Sequence, residues 1–142
     1  MKQTTKMSRA VGQLEKMFNA LNMFRELGLM TLAQKGAEKD SLVLSAEETL
    51  RIAVDNGWKA IGLGDQAGRV EEGCLADLIL LDEEAPNFQP KHCWKAALAY
   101  SSTGYEVTDT IINGKVVMRN RELTTIDEER VNYEIAQAVR DF

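Results

Sequence analysis

The sequence predicts an α+β chain, with helices first and a sheet second. Three observations lead there. Apolar residues recur at three- and four-residue steps through the N-terminal part, as they do along one face of a helix. An aliphatic run, Leu78-Ile-Leu-Leu81, and an Asn113-Gly114 pair set between β-branched stretches then mark strands. Helical spacing returns after Thr125 to close the chain.

Taken in order, Leu14, Met17, Phe18, Leu21, Phe24, Gly28 and Leu32 form one apolar face and predict a helix over 14–32, with Gly36 as its stop. Gly28 inside that pattern costs about 1 kcal/mol relative to alanine, so close packing or a kink is expected there. Ser45-Ala-Glu-Glu48 has the spacing of a capping box: the serine oxygen accepts the Glu48 amide while the glutamate reaches back. Leu50, Ala53 and Val54 follow as a short buried stripe that Asn56-Gly57 is expected to end. Residues 58–63 make a further turn before Gly64, so 1–64 read as a helical segment.

Residues 65–142 have a different character. Gly68-Arg-Val-Glu-Glu-Gly73 is a turn-rich approach to Ala76-Asp-Leu-Ile-Leu-Leu-Asp82, which reads as a strand covered on both faces. Pro86 and Pro90 punctuate the next loop. Trp94, Ala97, Leu98 and Ser101 have helical spacing before Gly104. Asn113-Gly114 predicts a type I′ hairpin, because both central residues must accept positive φ. Thr125-Ile-Asp-Glu128 has capping-box spacing and opens a last helix with Val131, Ile135, Ala138 and Phe142 on one face.

Composition narrows the function classes. A chain of 142 residues, 44% hydrophobic and 27% charged, is one domain's worth of ordinary globular protein. A net charge of −5 without a basic cluster gives no footprint for nucleic acid. No apolar run approaches the roughly 18 residues of a membrane span, and basic residues 1–10 lack the apolar centre of a signal peptide. Cys74 and Cys93 lie in no CxxC or Cys/His cluster and read as free thiols of a cytoplasmic protein.

The residues that tempt a functional reading are few. His92 is the single histidine; with Cys93 beside it, it makes no metal site, because further ligands must converge, and it reads as structural or solvent-facing. Asp77 reads as a turn-fixing carboxylate that accepts amides of the preceding glycine-rich turn. Gly68 and Gly73 lack the companions of a phosphate cradle. Glu71-Glu72, Glu83-Glu84 and Asp127-Glu-Glu129 read as solvated acids or first-turn helix charges. Trp58 and Trp94, among aliphatic neighbours, read as core or interface.

Gly68-x-Val70-x-x-Gly73-x-x-Ala76-Asp77-Leu-Ile-Leu-Leu-Asp82 resembles the late signature of the amidohydrolase superfamily. The branch it resembles holds cytosine, guanine and methylthioadenosine/adenosylhomocysteine deaminases and triazine chlorohydrolases. Residues 107–117, ending in Ile-Ile-Asn-Gly-Lys-Val-Val, are similar to that branch's last hairpin, and Leu123-Thr-Thr-Ile-Asp-Glu128 to the start of its terminal helix. Asn22-Met-Phe-Arg-Glu26 with Gln34-Lys-Gly36 resembles the helix after the last barrel strand, and residues 45–63 the helical pair that follows. The likeness runs from about residue 19 to the end, and its five pieces occur in family order.

The resemblance implies the last helices of a (β/α)₈ barrel, then the C-terminal strands of a small β-sandwich domain and a closing helix. It also implies a zinc or iron centre that activates water against a ring carbon bearing an amino or halide leaving group. In the family the ligands are an early His-x-His pair, two further histidines and a late aspartate in a Gly-Thr-Asp-like strand end. No His-x-His occurs here and residues 1–18 bear no likeness to that strand, so no catalytic, cofactor-binding or metal residue carries over. The expectation is a truncated amidohydrolase-like chain, inactive alone, with no cofactor of its own. It would expose a sheet edge and a helix face, and so assemble as a homo-oligomer or with a complementing N-terminal fragment.

Overall fold

A computed structural model describes residues 21–140 of the chain. It is an α+β fold of helices and one antiparallel sheet. The first helix, α1 (Met23–Glu38), opens where the Asn22 side chain accepts the Arg25 N–H at 3.1 Å. That start differs from the expected helix over 14–32. Leu21 has φ +45 and stands outside α1, so the apolar row does not continue as one helix through it; Leu14, Met17 and Phe18 lie outside the described residues. Nor is Gly36 the stop. The helix runs on to Glu38, and Lys39, at φ +53, caps it by donating its N–H to the Lys35 carbonyl. Gly28 packs closely against nothing: an added Cβ would meet no atom within 4 Å.

The capping box at Ser45 is present in both directions, with the Glu48 amide donating to Ser45 Oγ at 3.3 Å and the Ser45 amide to Glu48 Oε2 at 2.9 Å. It opens α2 (Ala46–Arg51), which continues through a π-helical stretch, Ile52–Asn56, into α3 (Gly57–Ala60). Asn56-Gly57 therefore does not end the helix. Gly57 keeps right-handed angles, and the wider π turn absorbs the change of register. The turn comes later, at Gly62, φ +81.

Leu27 and Met30 of α1 meet Leu44 and Ile52 in the core, with Val43, Leu50 and Ala53 packed against them. Each such side chain, withdrawn from water, contributes about 1.5–3 kcal/mol. Val54, expected in the buried stripe, is exposed instead. The hydroxyls caught in this core are satisfied: Thr31 donates to Leu27 O and Thr49 to Ser45 O, both at 2.9 Å.

After β1 (Leu78–Leu81), a 3-10 turn at Pro86–Phe88 leads to α4 (Trp94–Ala96), which extends as a π-helical stretch over Ala97–Ser101. This late helix belongs to the helical body. Tyr100 donates its hydroxyl to Leu44 O and lies under Lys35 Nζ, 4.9 Å from the ring centre; Lys95 reaches Glu47 at 2.7 Å.

The remaining strands, β2 (Val107–Ile112), β3 (Lys115–Arg119) and β4 (Glu122–Leu123), complete a sheet in the order β1-β2-β3-β4, antiparallel throughout. The expected hairpin is formed, with Asn113 and Gly114 at φ +48 and +76. A second tight turn, Asn120-Arg121, also takes positive φ. Arg121 is held there by its own N–H on Thr108 O at 2.8 Å and its guanidinium on Tyr105 O at 3.3 Å. β1 departs from the expectation of a strand covered on both faces: it is an edge strand, and Ile79 and Leu80 are 47% and 53% exposed.

The last helix, α5 (Glu128–Arg140), begins later than the Thr125 capping box implied. Asp127 accepts the Arg130 N–H at 3.0 Å and is the cap. Val131, Ile135 and Val139 are exposed and α5 buries no residue, while Phe142 lies outside the described residues.

Candidate functional site

His92 and Cys93 are both exposed, in the loop before α4, and the His92 N–H is committed to the Pro90 carbonyl at 2.8 Å. Cys74 lies elsewhere, 3.9 Å from an Arg69 nitrogen. Among the described residues no group of three or more His, Cys, Asp or Glu is placed to hold a metal ion. A hydrolytic zinc or iron centre needs about three protein ligands around an open position. One surface imidazole and dispersed carboxylates do not fit that group.

Asp77 does fix a turn, but a distant one. Its Oδ1 accepts the amide of Asn113, 2.6 Å away, and so ties the strand start to the tip of the β2–β3 hairpin. Sequence reasoning placed its partner in the preceding turn, because sheet register was not yet available to bring residue 113 near. In that preceding turn, Gly68 sits at φ +85 beneath Trp58, whose ring would lie 2.9 Å from an added Cβ, and Gly73 is at φ +88. Arg69 staples the turn by donating to Gly64 O, Asp65 O and Glu71. Glu83 and Glu84 flank Lys91 at 3.6 and 2.5 Å, and the hydrogen bond that Lys91 donates to Glu84 raises the lysine's pKa. Trp94 meets the buried Phe88 edge-on at 5.5 Å.

Two buried carboxylates escaped sequence reasoning. Glu106 is 2% exposed and sits in a nest of donors. Ser102 Oγ at 3.0 Å, the Thr103 amide at 3.2 Å and hydroxyl at 3.0 Å, the Gly104 amide at 2.8 Å and the Asn87 amide group all point at it. Burial pushes its pKa up, but the hydrogen bonds from Asn87, the backbone and Ser102 outweigh that and leave it at about 2. The only local signal was Ser102-Thr-Gly104 two residues upstream, small donors in a turn before an acid. Glu26, in the first turn of α1, is also 2% exposed, yet its Oε2 has no hydrogen-bond partner among the described residues. No sequence pattern marked it, because an acid in a first helical turn ordinarily faces water.

Among the described residues an open concavity of about 480 Å³ lies between the start of α1 and the loop before β2. Leu21, Asn22, Met23, Phe24, Thr103, Gly104 and Tyr105 line it. Asn22 ties the two walls by donating to Thr103 O at 2.8 Å. It offers amides, two aromatic rings and thioether surface, and the Thr103 hydroxyl on its wall donates to Glu106 Oε1 at 3.0 Å.

Comparison with known proteins places this fold. The amidohydrolase family model matches residues 7–117, and the chain belongs to the amidohydrolase family. A 5-methylthioadenosine/S-adenosylhomocysteine deaminase from Acetivibrio thermocellus is 39% identical over 122 residues, 86% of this chain and 28% of its own length. A 5'-deoxyadenosine deaminase from Methanocaldococcus jannaschii is 40% identical over 84% of this chain and 27% of its own. The chain thus spans little more than a quarter of the length of the curated relatives it matches. Among solved structures, a zinc-bound adenosine deaminase from Xanthomonas campestris superposes with TM-score 0.77 at 35% identity, over 81% of this chain and 26% of its own. The zinc complex of atrazine chlorohydrolase TrzN from Arthrobacter aurescens TC1 superposes with TM-score 0.70 at 25% identity, over 80% and 25%. No helix among the described residues is long and apolar enough to cross a membrane.

Proposed function

We propose that residues 1–142 are the C-terminal, non-catalytic part of a deaminase-type amidohydrolase: the last helices over the barrel, the C-terminal strands of the small β-domain and its closing helix. The related enzymes' chemistry, hydrolysis of a carbon–nitrogen or carbon–halide bond on a purine-like ring, requires a metal centre made by polypeptide outside these residues. The observation that carries this reading is the ligand count: 142 residues contain one histidine, and it stands exposed with no convergent ligand group among the described residues. Where the rest of the barrel comes from, whether a covalently joined segment or a separate chain, does not alter that chemistry.

The test uses the purified 142-residue chain, loaded with zinc or iron and dialysed. The expected result is no stoichiometric metal and no deamination of 5'-methylthioadenosine, S-adenosylhomocysteine or adenosine. Bound metal at one per chain together with turnover would sink the proposal.

A second reading, assembly of identical copies, draws on α5, whose exposed Val131, Ile135 and Val139 form an apolar stripe with nothing against it among the described residues. Sedimentation at micromolar concentration decides it, and a stable monomer removes it. The two free cysteines, Cys74 and Cys93, support a reducing, cytoplasmic setting for either reading.

A further inference from the structure

The groups that reach the buried Glu106 carboxylate are all uncharged. They are the Asn87 side-chain amide, the Ser102 hydroxyl at 3.0 Å, the Thr103 hydroxyl and amide at 3.0 and 3.2 Å, and the Gly104 amide at 2.8 Å. They come from separate stretches of chain. Asn87 belongs to the 3-10 turn after β1 and also donates to Ser101 O at 2.9 Å, while residues 102–104 join the end of α4 to β2. One carboxylate thus draws a turn, a helix end and a strand start together. Hydrogen bonds to a charged acceptor are about twice as strong as neutral ones, so its charge matters to that junction.

The 102–104 turn is in addition the abutment of α1. Thr103 O accepts Asn22 Nδ2 at 2.8 Å, and the same side chain's Oδ1 accepts the Arg25 N–H at 3.1 Å to cap the helix. Gly104, at φ +94, lets the turn lie close: a Cβ there would stand 3.5 Å from both the Asn22 side chain and the Phe24 ring. A run of hydrogen bonds therefore leads from Asn87 through Glu106, Thr103 and Asn22 to the Arg25 amide, and bonds in such a chain strengthen one another. Glu106 is the member of that run that gains or loses a proton between acid and neutral pH. Of the titratable groups on the surrounding elements, the Tyr100 hydroxyl donates to Leu44 O and Asp82 pairs with Arg121 at 3.4 Å. Asp109 lies further along β2 opposite Leu80, and Tyr105 is 88% exposed. Glu26, buried in the first turn of α1 beside the cap, is the rival carboxylate.

We propose that Glu106 is an acid-sensitive latch: its carboxylate holds the 102–104 turn, the turn holds Asn22, and protonation frees the start of α1 from that turn while the helical core stays folded. A protonated carboxyl gives up acceptor capacity and adds a donor, so it no longer serves five converging donors. Its acidity agrees with that direction. Burial pushes the pKa up, but the hydrogen bonds from Asn87, the backbone and Ser102 leave it at about 2, against 4.5 for an ordinary glutamate. With the latch open those bonds are gone, so opening takes up a proton and becomes about tenfold easier per pH unit as pH falls from 4.5 toward 2. Above 4.5 the latch is fully closed by its charge. Leu27, Met30, Leu44 and Ile52 form the core without any member of the run, which makes the opening local.

The experiment follows amide exchange residue by residue, by NMR, on the full 142-residue chain from about pH 6 to about pH 2, with intrinsic exchange rates divided out. Protection of Thr103, Gly104 and Arg25 should fall together below about pH 4.5, by up to about 300-fold in all. Thr49, whose amide donates to Ser45 O beside the core, should remain better protected than these three throughout. In Glu106→Gln the three should be poorly protected already at neutral pH and lose no more in acid. Asn22→Ser keeps a capping oxygen and drops the amide donor; there Thr103 and Gly104 should keep the acid response and Arg25 should lose it. Equal protection at all four amides would make the event global unfolding and overturn the latch. An acid response at Arg25 that survives in Glu106→Gln would hand it to Glu26 and overturn the latch as well. So would an Asn22→Ser chain whose Arg25 still follows Thr103. Should Glu106→Gln fail to fold, the wild-type titration and Asn22→Ser decide between the same outcomes.

Discussion

The helical body and the sheet-plus-α5 half are built from similar apolar material and finished to different degrees. In the body, Leu27, Met30, Leu44 and Ile52 are each under a tenth exposed, and Phe88 and Ala99 of the later segment are buried as well. In the other half, β1 exposes half of two central side chains and α5 buries nothing. The difference teaches where this chain closes on itself. Helices α1, α2 and α4 satisfy one another locally. The sheet's edge, the outer face of α1 and the whole of α5 present surface that the other described residues leave open.

The largest effect that separates the halves is a cavity. Leu27→Ala or Ile52→Ala should cost about 2–5 kcal/mol in a denaturant melt, because the core can collapse only partly around the gap. Ile79→Ala should cost less than about 1 kcal/mol in the same assay, its side chain already being half in water. Equal costs would mean that β1 is covered in solution and would break the comparison.

Next comes the joint between the halves, Glu106. Its folded-state pKa of about 2 lies below its ordinary value of 4.5, so the carboxylate's contribution, of order 3 kcal/mol, is fully present above that ordinary value. It is lost as pH falls through 4.5 toward 2. Glu106→Gln should therefore flatten the acid limb of stability measured from pH 6 to pH 2. A limb as steep as the wild type's would place the titrating groups elsewhere.

Ser45→Ala should cost about 0.5–2 kcal/mol by removing the cap of α2, and should shift the melt of the helical body. The smallest change is expected at Ile135→Ala or Val139→Ala, within about 0.5 kcal/mol, since neither side chain leaves water in the isolated chain. A larger loss there would show α5 to be packed, and sedimentation of the same variant would tell whether against a second copy.

Features that depend on a few consecutive residues were legible in advance. The Ser45 box and the Asn113-Gly114 turn are decided by hydrogen bonds and φ preferences spanning four residues or fewer, and both are formed as expected. The family likeness was legible for a related reason: several such local pieces recur in order. The start of the first helix was not, because apolar spacing does not reveal that Leu21 takes positive φ and that Asn22 caps the helix. The turn at Asn120-Arg121 lacks the glycine that announces such turns and depends on Tyr105 and Thr108 to hold Arg121 in place. Asp77 was assigned the right task with the wrong partner, since its acceptor role is local chemistry and its donor arrives through sheet pairing.

Composition and local pattern alone indicated an α+β chain and one histidine; a residue count needs no coordinates. Which carboxylates are buried, which of them is provided with donors and which faces remain open were decided only when residues far apart in the chain met. Glu26 and Glu106 read alike as letters. Desolvation and hydrogen bonding act through space, and the fold brought five donor groups to one carboxylate while leaving an oxygen of the other without any among the described residues.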